Sequence, residues 1–342
     1  MSWDWTPETL GELEGFLRDR DLVSGALTTR RIGDGHSNLT FLVSDGEREV
    51  VVRRPPPPPV PPGGHDVLRE ARLIQALMDT GVPVADVLAV GQEGAVLDVP
   101  FYVMKYVPGA VITEQTPAAL ATPQTRREIG ESFVDTLADL HAVDWRAHGL
   151  EDFGRPEGFN RRHLRRIGGL LADEDGNPPP AFAEIEAWLA EHAPPESGAS
   201  IVHNDYRIGN VMVGADPPGR VLAVLDWELA TIGDPLLDVG YLLASYPQEG
   251  EPRTPTQDFG LAVLEPGWPS RDELAERYTA RTGRDLSDLR WYMAMSEWKI
   301  GVLYEYARRR GEDAYYADPS LVERFLASAH RIAGLDPVRV QP

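Results

Sequence analysis

The chain has 342 residues, of which 42% are apolar and 25% charged, a composition typical of a globular protein that is long enough for two domains. The net charge of −21 disfavours a nucleic-acid partner, and the absence of cysteine excludes disulfides, thiolate metal sites and a cysteine nucleophile. No apolar run reaches the length of a membrane span and residues 1–5 show no signal-peptide pattern, so we expect a cytoplasmic protein without membrane contacts.

The first 107 residues carry the patterns of a small β-rich lobe. Short apolar runs bounded by turn residues mark strands, wider apolar spacing marks helices, and a proline run marks an extended connector. In chain order we expect a helix at 7–20, strands at 39–43 and 50–54 joined by a turn, a connector at 55–62, a helix at 66–79 with Asp66 as its N-cap, and strands at 87–90 and 101–107.

The pattern changes to helical spacing after Pro108-Gly109, a dipeptide that breaks strands. This change predicts two domains, an N-terminal lobe at 1–107 and a mostly helical C-terminal lobe at 108–342. Helices are expected at 123–142, 180–192, 271–282, 289–310 and 319–333.

Residues 203–226 carry the most informative pattern. His203-x-Asp205 is followed by Asn210, a short apolar strand, a turn, and a second apolar strand that ends at Asp226. A carboxylate that orients a hydroxyl, followed by an amide and a second carboxylate for Mg²⁺, is the layout of a phosphoryl-transfer site. The alternative is a pair of buried strands with ordinary turn residues between them, which Asp226 at a strand end disfavours. His203 is expected to be a hydrogen-bonded structural residue rather than a base.

Each polar residue of this pattern has an expected role. Asp205 accepts the proton of the attacking hydroxyl, and Arg207 places positive charge near the γ-phosphate of ATP. Asn210 and Asp226 offer Mg²⁺ the hard oxygen ligands that it prefers. Glu228 is a further candidate for the metal site. Asp234 and Asp238 are expected to brace the catalytic loop or cap the next helix rather than do chemistry. The pattern therefore predicts a kinase that acts on the hydroxyl of a small molecule.

Three segments together resemble the aminoglycoside phosphotransferase/choline kinase-like family, in particular the phosphotransferase domains fused to acyl-CoA dehydrogenases. They are His203–Asn210, Leu225–Glu228 and Gly233–Asp238, and the resemblance extends over about residues 25–335. It implies an α+β, protein-kinase-like fold, with a small antiparallel β-sheet and one helix in the N-terminal lobe, a mostly helical C-terminal lobe, and ATP held between the lobes.

The resemblance also implies a phosphate-covering loop at residues 33–38. Its expected contacts to ATP are Gly35, Ser37 and Asn38, through backbone N–H groups. A Gly-Asp-Gly sequence is also an ordinary turn, and the loop is not a Walker A motif because no Gly-Lys-Ser/Thr follows.

A hinge that joins the lobes is implied at Met104–Val107. The backbone groups of Lys105 and Val107 are expected to bind adenine there. A plain edge strand is the alternative interpretation of the same four residues.

The family usually has a lysine at the end of the third strand, paired with a helix glutamate, and this chain has none there. Arg53 takes its place, since arginine is always charged and contacts phosphate bidentately. Arg54 points to the opposite face and is the fallback. Glu70 is the expected partner, with Arg69 and Arg72 as competitors for it.

The acceptor is expected to bind beside the helices after residue 270. Residues 251–342 contain 15 acidic and 13 basic side chains, which disfavours a polycationic aminoglycoside as acceptor. Arg308–Arg310 suit an anionic acceptor such as a carboxylate or CoA thioester, although a solvated helix end explains them too. The aromatic residues in this region are at helical spacing and are expected to be mostly core: Trp291, Tyr292, Met295, Trp298, Tyr304 and Tyr306.

Three other functions compete with a kinase of a hydroxyacyl, CoA-type or similar metabolite. An aminoglycoside or macrolide antibiotic kinase would share the same catalytic pattern. A nucleotide-binding pseudokinase or regulatory scaffold is favoured by the missing lysine but disfavoured by the intact Asp205, Asn210 and Asp226. A protein kinase is disfavoured because neither Asp-Phe-Gly nor Ala-Pro-Glu follows the loop.

Overall fold

In the computed structural model, the described residues are 5–33, 38–56, 66–311 and 314–335. The chain forms two compact units, one of residues 1–108 with 222–228 and the other of residues 109–221 with 229–342. The segment Leu222–Glu228 packs with the first unit, whereas the division expected from the sequence assigns it to the C-terminal lobe.

The first unit contains a five-stranded antiparallel sheet in the order β1-β2-β3-β5-β4 and two helices. The expected hairpin and the Asp66 cap are confirmed, since β2 and β3 pair and the Asp66 side chain accepts from the Arg69 N–H. The first strand was not expected. The elements are α1 (Pro7–Arg18), β1 (Thr28–Arg31), β2 (Leu39–Ser44), β3 (Glu49–Arg54), α2 (Val67–Leu77), β4 (Val87–Gly91) and β5 (Phe101–Lys105).

Alternation along β3 separates its side chains onto the two faces of the sheet. Val50 and Val52 belong to the apolar cluster that also contains Leu13 of α1. Arg53 lies on the opposite face and contacts Glu70 of α2. The alternation of β3 thus directs Arg53 toward the buried carboxylate of Glu70.

The second unit is mostly helical, with two small sheets of order β10-β7 and β6-β8-β9. The five expected helices are confirmed within a residue or two of their ends, whereas α4 and α6 were not expected. Within the described residues, no helix combines the length and apolar composition needed to cross a membrane. The elements are β6 (Ala110–Val111), α3 (Pro123–Ala142), α4 (Phe159–Gly168), α5 (Pro180–Glu191), β7 (Ser200–Val202), β8 (Val211–Ala215), β9 (Pro218–Val224), β10 (Thr231–Gly233), α6 (Leu236–Ala244), α7 (Pro255–Asp258), α8 (Arg271–Thr282), α9 (Leu289–Arg310) and α10 (Ser320–Ala333).

Close packing of α6 against α9 forms the centre of the second unit. Every residue of α6 is buried, which explains why its sequence shows no amphipathic spacing. A Cβ at Gly240 would lie 2.6 Å from the Cβ and carbonyl carbon of Tyr292, so only glycine allows this approach. The expectation of a core role is confirmed for four residues of α9, which are fully buried: Trp291, Tyr292, Met295 and Trp298.

Candidate active site

The segment 203–210 connects β7 to β8 and ends in a short helical turn at Ile208–Asn210. Within it, the Asn210 side-chain amide donates to the Asp205 carboxylate at 2.6 Å and to the Asp205 carbonyl oxygen at 2.8 Å. The structure therefore brings together two residues predicted from the sequence. Because both bonds use Nδ2, the amide oxygen of Asn210 is not engaged by Asp205.

A buried carboxylate on α6 braces the start of this loop. Asp238 accepts the backbone N–H of His203 at 2.6 Å through Oδ2 and that of Asn204 at 2.7 Å through Oδ1. His141 Nε2 also contacts Oδ2 at 3.2 Å. Burial alone would raise the pKa of Asp238, but hydrogen bonds and charge from His141 and His203 bring it below its ordinary value. The loop is thus anchored by an ionised carboxylate.

His203 takes the structural role expected for it. The residue is fully buried, and its Nδ1 accepts the Asp205 N–H at 3.2 Å. An imidazole held in this way orients the backbone of Asp205 rather than facing a substrate.

Arg207 lies beside the Asp205 carboxylate. Its Nε is 3.7 Å from Asp205 Oδ1, and its guanidinium carbon is 5.9 Å from the centroid of the Phe259 ring. Both side chains of the ion pair are about one quarter exposed, at 24% and 22%, so solvent screens this contact only partly.

Arg53 in the first unit bridges two carboxylates. Its Nε donates to Glu70 at 3.0 Å and its Nη2 to Asp226 at 2.5 Å. Burial acts to lower the pKa of Arg53, but the charges of Glu70 and Asp226 outweigh it and raise the pKa above its ordinary value. Arg54 instead lies on the opposite face, with its guanidinium 5.4 Å from the Trp5 ring and 5.3 Å from the Phe41 ring.

Glu70 also holds the backbone that follows Asp226. Its second oxygen accepts the Trp227 N–H at 3.2 Å. Asp226 itself has a φ of 63°, a left-handed conformation that aspartate tolerates better than most residues. Its side chain is 36% exposed, against 1% for Glu70, so Asp226 is the accessible carboxylate of the pair.

Asn38 and Glu228 lie next to this cluster. Asn38 donates from Nδ2 to Glu228 Oε2 at 3.2 Å, and the same oxygen is 3.9 Å from Arg53 Nη2. Of the predicted phosphate-covering loop, Gly35 and Ser37 lie outside the described residues.

The predicted hinge residues end the fifth strand. The Lys105 N–H donates to the Asp86 carbonyl at 2.9 Å, so this N–H already has a partner. Val107 lies beyond the strand, and no described backbone group accepts from its N–H.

The two predicted metal ligands, Asn210 and Asp226, each carry an oxygen donor. Among the described residues, no cluster of three or more histidine, aspartate or glutamate side chains is arranged to hold a metal. The amide oxygen of Asn210 and the accessible carboxylate of Asp226 are nevertheless the ligand types that Mg²⁺ takes when phosphate supplies further oxygens. Each lies in a different compact unit.

Three residues around the loop at 203–210 were missed in the sequence: His141, Tyr241 and Lys299. Asp238 braces the loop, which is one of the two roles expected for it. Asp205 helps to raise the pKa of the buried Tyr241 phenol, after the larger effect of burial. Lys299, one of only two lysines, was the available signal, because a lysine within an apolar helix stretch is unusual.

The arginines at the end of α9 contact other side chains of the same helix. Arg308 and Arg309 donate from Nε to Glu305 at 2.7 and 2.8 Å. Arg310 lies 5.3 Å from the centroid of the Tyr306 ring. This pairing favours the interpretation of Arg308–Arg310 as a helix end over that of an anion site.

Comparison with known proteins decides the family. A sequence model described as the phosphotransferase enzyme family matches residues 28–292. The chain belongs to this family. The prediction of a phosphotransferase enzyme is therefore confirmed, and so is the α+β, protein-kinase-like fold. Lys299 lies outside the matched residues.

Two curated relatives and one solved structure resemble the chain over most of its length. Acyl-CoA dehydrogenase family member 11 of Mus musculus is 32% identical over 303 residues, which are 87% of this chain and 38% of the relative. Acyl-CoA dehydrogenase family member 10 of Mus musculus is 29% identical over 301 residues, 87% of this chain and 28% of the relative. The chain thus spans about a third of these two relatives.

The solved structure comes from Ralstonia eutropha and is assigned as an aminoglycoside phosphotransferase. It has a TM-score of 0.75 and 30% sequence identity, and the match covers 94% of this chain and 98% of that one.

Proposed function

We propose that the chain transfers the γ-phosphoryl group of ATP to a hydroxyl of a small molecule, with Asp205 as the proton acceptor. The observation that carries this proposal is the pair formed by Asp205 and Asn210 on a loop anchored by Asp238. A carboxylate and an amide fixed at this spacing match the two polar roles of a kinase catalytic loop.

The reaction needs positioning and charge more than covalent chemistry. The acceptor oxygen bonds to the γ-phosphorus, the bond from that phosphorus to the β–γ bridging oxygen breaks, and ADP leaves. Asp205 takes the proton that the acceptor hydroxyl loses. Arg207, 3.7 Å from Asp205, adds positive charge where the phosphoryl oxygens gather negative charge.

Residues of the first unit bind the nucleotide in this proposal. Arg53 contacts phosphate in place of the usual lysine, and Glu70 fixes its orientation. Asn38, together with Gly35 and Ser37 of the same loop, covers the phosphates. Backbone groups of Lys105 and Val107, at and beyond the end of β5, bind the adenine edge.

Asn210 and Asp226 hold Mg²⁺ in this proposal. The bound ion neutralises charge on the transferring phosphoryl group. The left-handed backbone of Asp226 and its fixation through Glu70 and Trp227 present the carboxylate to solvent rather than to the core.

We further propose an acidic acceptor, of the hydroxyacyl or CoA type, rather than an aminoglycoside. Arg207 adjoins Asp205, which places one cation beside the carboxylate proposed to accept the proton. A polycationic antibiotic would meet repulsion there. The names of the two acyl-CoA dehydrogenase relatives agree with an acyl-type acceptor, whereas the Ralstonia eutropha structure favours the antibiotic alternative.

One observation favours a nucleotide-binding scaffold as the second candidate. Arg53 donates directly to Asp226, so the accessible metal carboxylate already has a cationic partner. In a scaffold this ion pair would persist with nucleotide bound, whereas in the kinase Asp226 would hold Mg²⁺ and Arg53 would contact phosphate.

The test is a screen for ADP release from Mg·ATP across hydroxylated acceptors: hydroxyacyl-CoA esters, free hydroxy acids, sugars, choline, homoserine, aminoglycosides and macrolides. The proposal predicts turnover with an acidic acceptor that Asp205→Asn abolishes. Turnover only with aminoglycosides or macrolides would contradict the acceptor class. ATP binding without turnover on any acceptor would favour the scaffold.

A further inference from the structure

Lys299 is a buried cation in the middle of α9. It is 5% exposed, and lysine is rarely so buried without a counter-ion. Among the described residues its ammonium forms no salt bridge. Burial lowers the pKa of Lys299, and the charges of Asp205 and Asp238 oppose that effect. The fold therefore keeps an unfavourably buried charge at this place, which suggests a task other than packing.

Its contacts lie on the catalytic loop. The ammonium donates to the carbonyl oxygen of Asn204 at 2.8 Å and lies 5.0 Å from the centroid of the Tyr241 ring. Asn204 immediately precedes Asp205, and the carbonyl of Asn204 shares one planar peptide group with the Asp205 N–H. A hydrogen bond to this carbonyl fixes the peptide plane before Asp205, and so helps to orient the Asp205 side chain.

The backbone of Asn204 is left-handed. Its φ is 65°, a region that asparagine adopts more readily than most residues with a Cβ atom. The Asn204 N–H is held by Asp238 at 2.7 Å and its side chain by the Leu229 carbonyl at 3.0 Å. Lys299 binds the Asn204 carbonyl. The N–H of Asn204 is thus held from α6 and its carbonyl from α9.

We propose that Lys299 is a positioning residue of the catalytic loop, which fixes the Asn204–Asp205 peptide so that the Asp205 carboxylate stays aligned to accept the acceptor's proton. The inference rests on the proposed function for its effect on turnover, although the contact itself is independent of that function. It assigns to α9 a part in catalysis that the sequence pattern did not indicate.

A merely structural role and a positioning role predict opposite results for Lys299→Met. Methionine keeps the length and apolar stem but removes the charge and the donor. Methionine removes the desolvation cost of the ammonium but leaves the Asn204 carbonyl without its donor, so the two effects oppose each other and the melting temperature is expected to change little. Loss of alignment lowers kcat by about 100-fold while the KM for ATP stays within about twofold. Lys299→Arg keeps the charge and a donor, and is expected to restore part of kcat.

Arg290→Met is the matched control. Arg290 lies on the same helix and also donates to a main-chain carbonyl, from Nε to Ile332 at 2.7 Å, far along α9 from the loop contact. Its loss is expected to lower the melting temperature and to leave kcat unchanged.

Hydrogen exchange of the full chain tests the contact separately from turnover. In Lys299→Met, backbone amides of residues 203–210 are expected to exchange at least about tenfold faster than in the wild type, with no such change in Arg290→Met. Unchanged exchange or unchanged kcat in Lys299→Met would overturn the inference. If the wild type shows no turnover with any acceptor, the proposed function fails, and the exchange rates alone decide whether Lys299 holds the loop.

Discussion

Arg53 donates from Nε to the buried carboxylate of Glu70 at 3.0 Å, which joins the third strand to the helix that follows it. The same carboxylate accepts the Trp227 N–H, so it fixes both the cation and the backbone next to Asp226. One glutamate thereby orients the proposed phosphate contact and the proposed metal carboxylate together.

We predict that Arg53→Ala weakens binding of Mg·ATP by about tenfold or more, because a charge-assisted phosphate contact is lost. It also leaves Glu70 buried without its cation, which is expected to destabilise the fold by about 3 kcal/mol. Isothermal titration with a non-hydrolysable ATP analogue and thermal melting measure the two effects. Arg53→Lys restores the residue type usual in the family and is expected to recover most of the binding.

Arg30→Ala, at an exposed position of β1, is the control and is expected to change neither quantity. If Arg53→Ala bound nucleotide as the wild type does while Arg54→Ala did not, the phosphate contact would belong to Arg54.

We predict that Asp238→Asn reduces kcat by about 100-fold and lowers the free energy of unfolding by about 2–4 kcal/mol. The amide loses the charge and one acceptor oxygen, so one of the His203 and Asn204 N–H groups loses its partner. Because the folded pKa of Asp238 lies below its ordinary value, the stability it contributes is present above pH 4 and is lost as the pH falls below that value.

Urea unfolding of both proteins as a function of pH measures this contribution. The stability difference between wild type and Asp238→Asn is expected to shrink below pH 4. An equal difference at pH 3 and pH 7 would show that the Asp238 charge does not anchor the loop.

We predict a second pH dependence of stability, due to Glu297 and opposite in sign to that of Asp238. Burial raises the pKa of this α9 carboxyl to about 8, although Ser328, Arg271 and Arg331 each act to lower it. Its Oε1 has no hydrogen-bond partner among the described residues. Between pH 4.5 and 8 the folded protein holds a proton that the unfolded chain releases. Wild-type stability is therefore expected to fall as the pH rises through this range.

Glu297→Gln removes this dependence, and is expected to be more stable than the wild type by about 4 kcal/mol at pH 9 but similar to it at pH 5. Glu323→Gln, at an exposed position of α10, serves as control and should follow the wild type at both pH values. Equal stability of Glu297→Gln and wild type at pH 9 would disprove the buried titration.

We predict that Gly240→Ala destabilises the second unit by about 1–3 kcal/mol, because its Cβ would lie 2.6 Å from the Tyr292 backbone. To relieve this clash α6 must move, and Asp238 moves with it. We therefore expect kcat to fall by more than the loss of folded protein would explain. Gly11→Ala on α1 meets no atom within 4 Å and is expected to be neutral or slightly stabilising in the same melting experiment. Wild-type kcat in Gly240→Ala would show that the α6–α9 contact does not position the loop.

The elements predicted correctly are those with one buried and one exposed face, or with clear turn residues. The amphipathic helices and the hairpin follow from apolar spacing and turn residues, as at Asp45-Gly46 between β2 and β3. Helix α6 was missed because it is buried on all sides and so carries no periodic signal. Helix α4 was missed because four arginines dominate its sequence, and its buried face is formed by widely separated apolar residues.

The candidate site divides in the same way. Asp205, Asn210 and Asp226 lie within one short segment, so their pattern is visible in the sequence. Asp238 lies in the Gly233–Asp238 segment that resembles the family, so its bracing role could be expected as well. Lys299 contacts the backbone of Asn204 from a helix that is distant along the chain, and only tertiary packing brings it there. A backbone contact of this kind leaves no motif, since any donor at the right place would serve.

The central claim, that Asp205 accepts the acceptor's proton in an ATP-dependent transfer, is tested most directly with Asp205→Asn. The account predicts that this variant binds Mg·ATP with an affinity within about twofold of the wild type and loses at least about 1,000-fold in ADP release with the acceptor identified in the screen. Wild-type turnover in Asp205→Asn would contradict it.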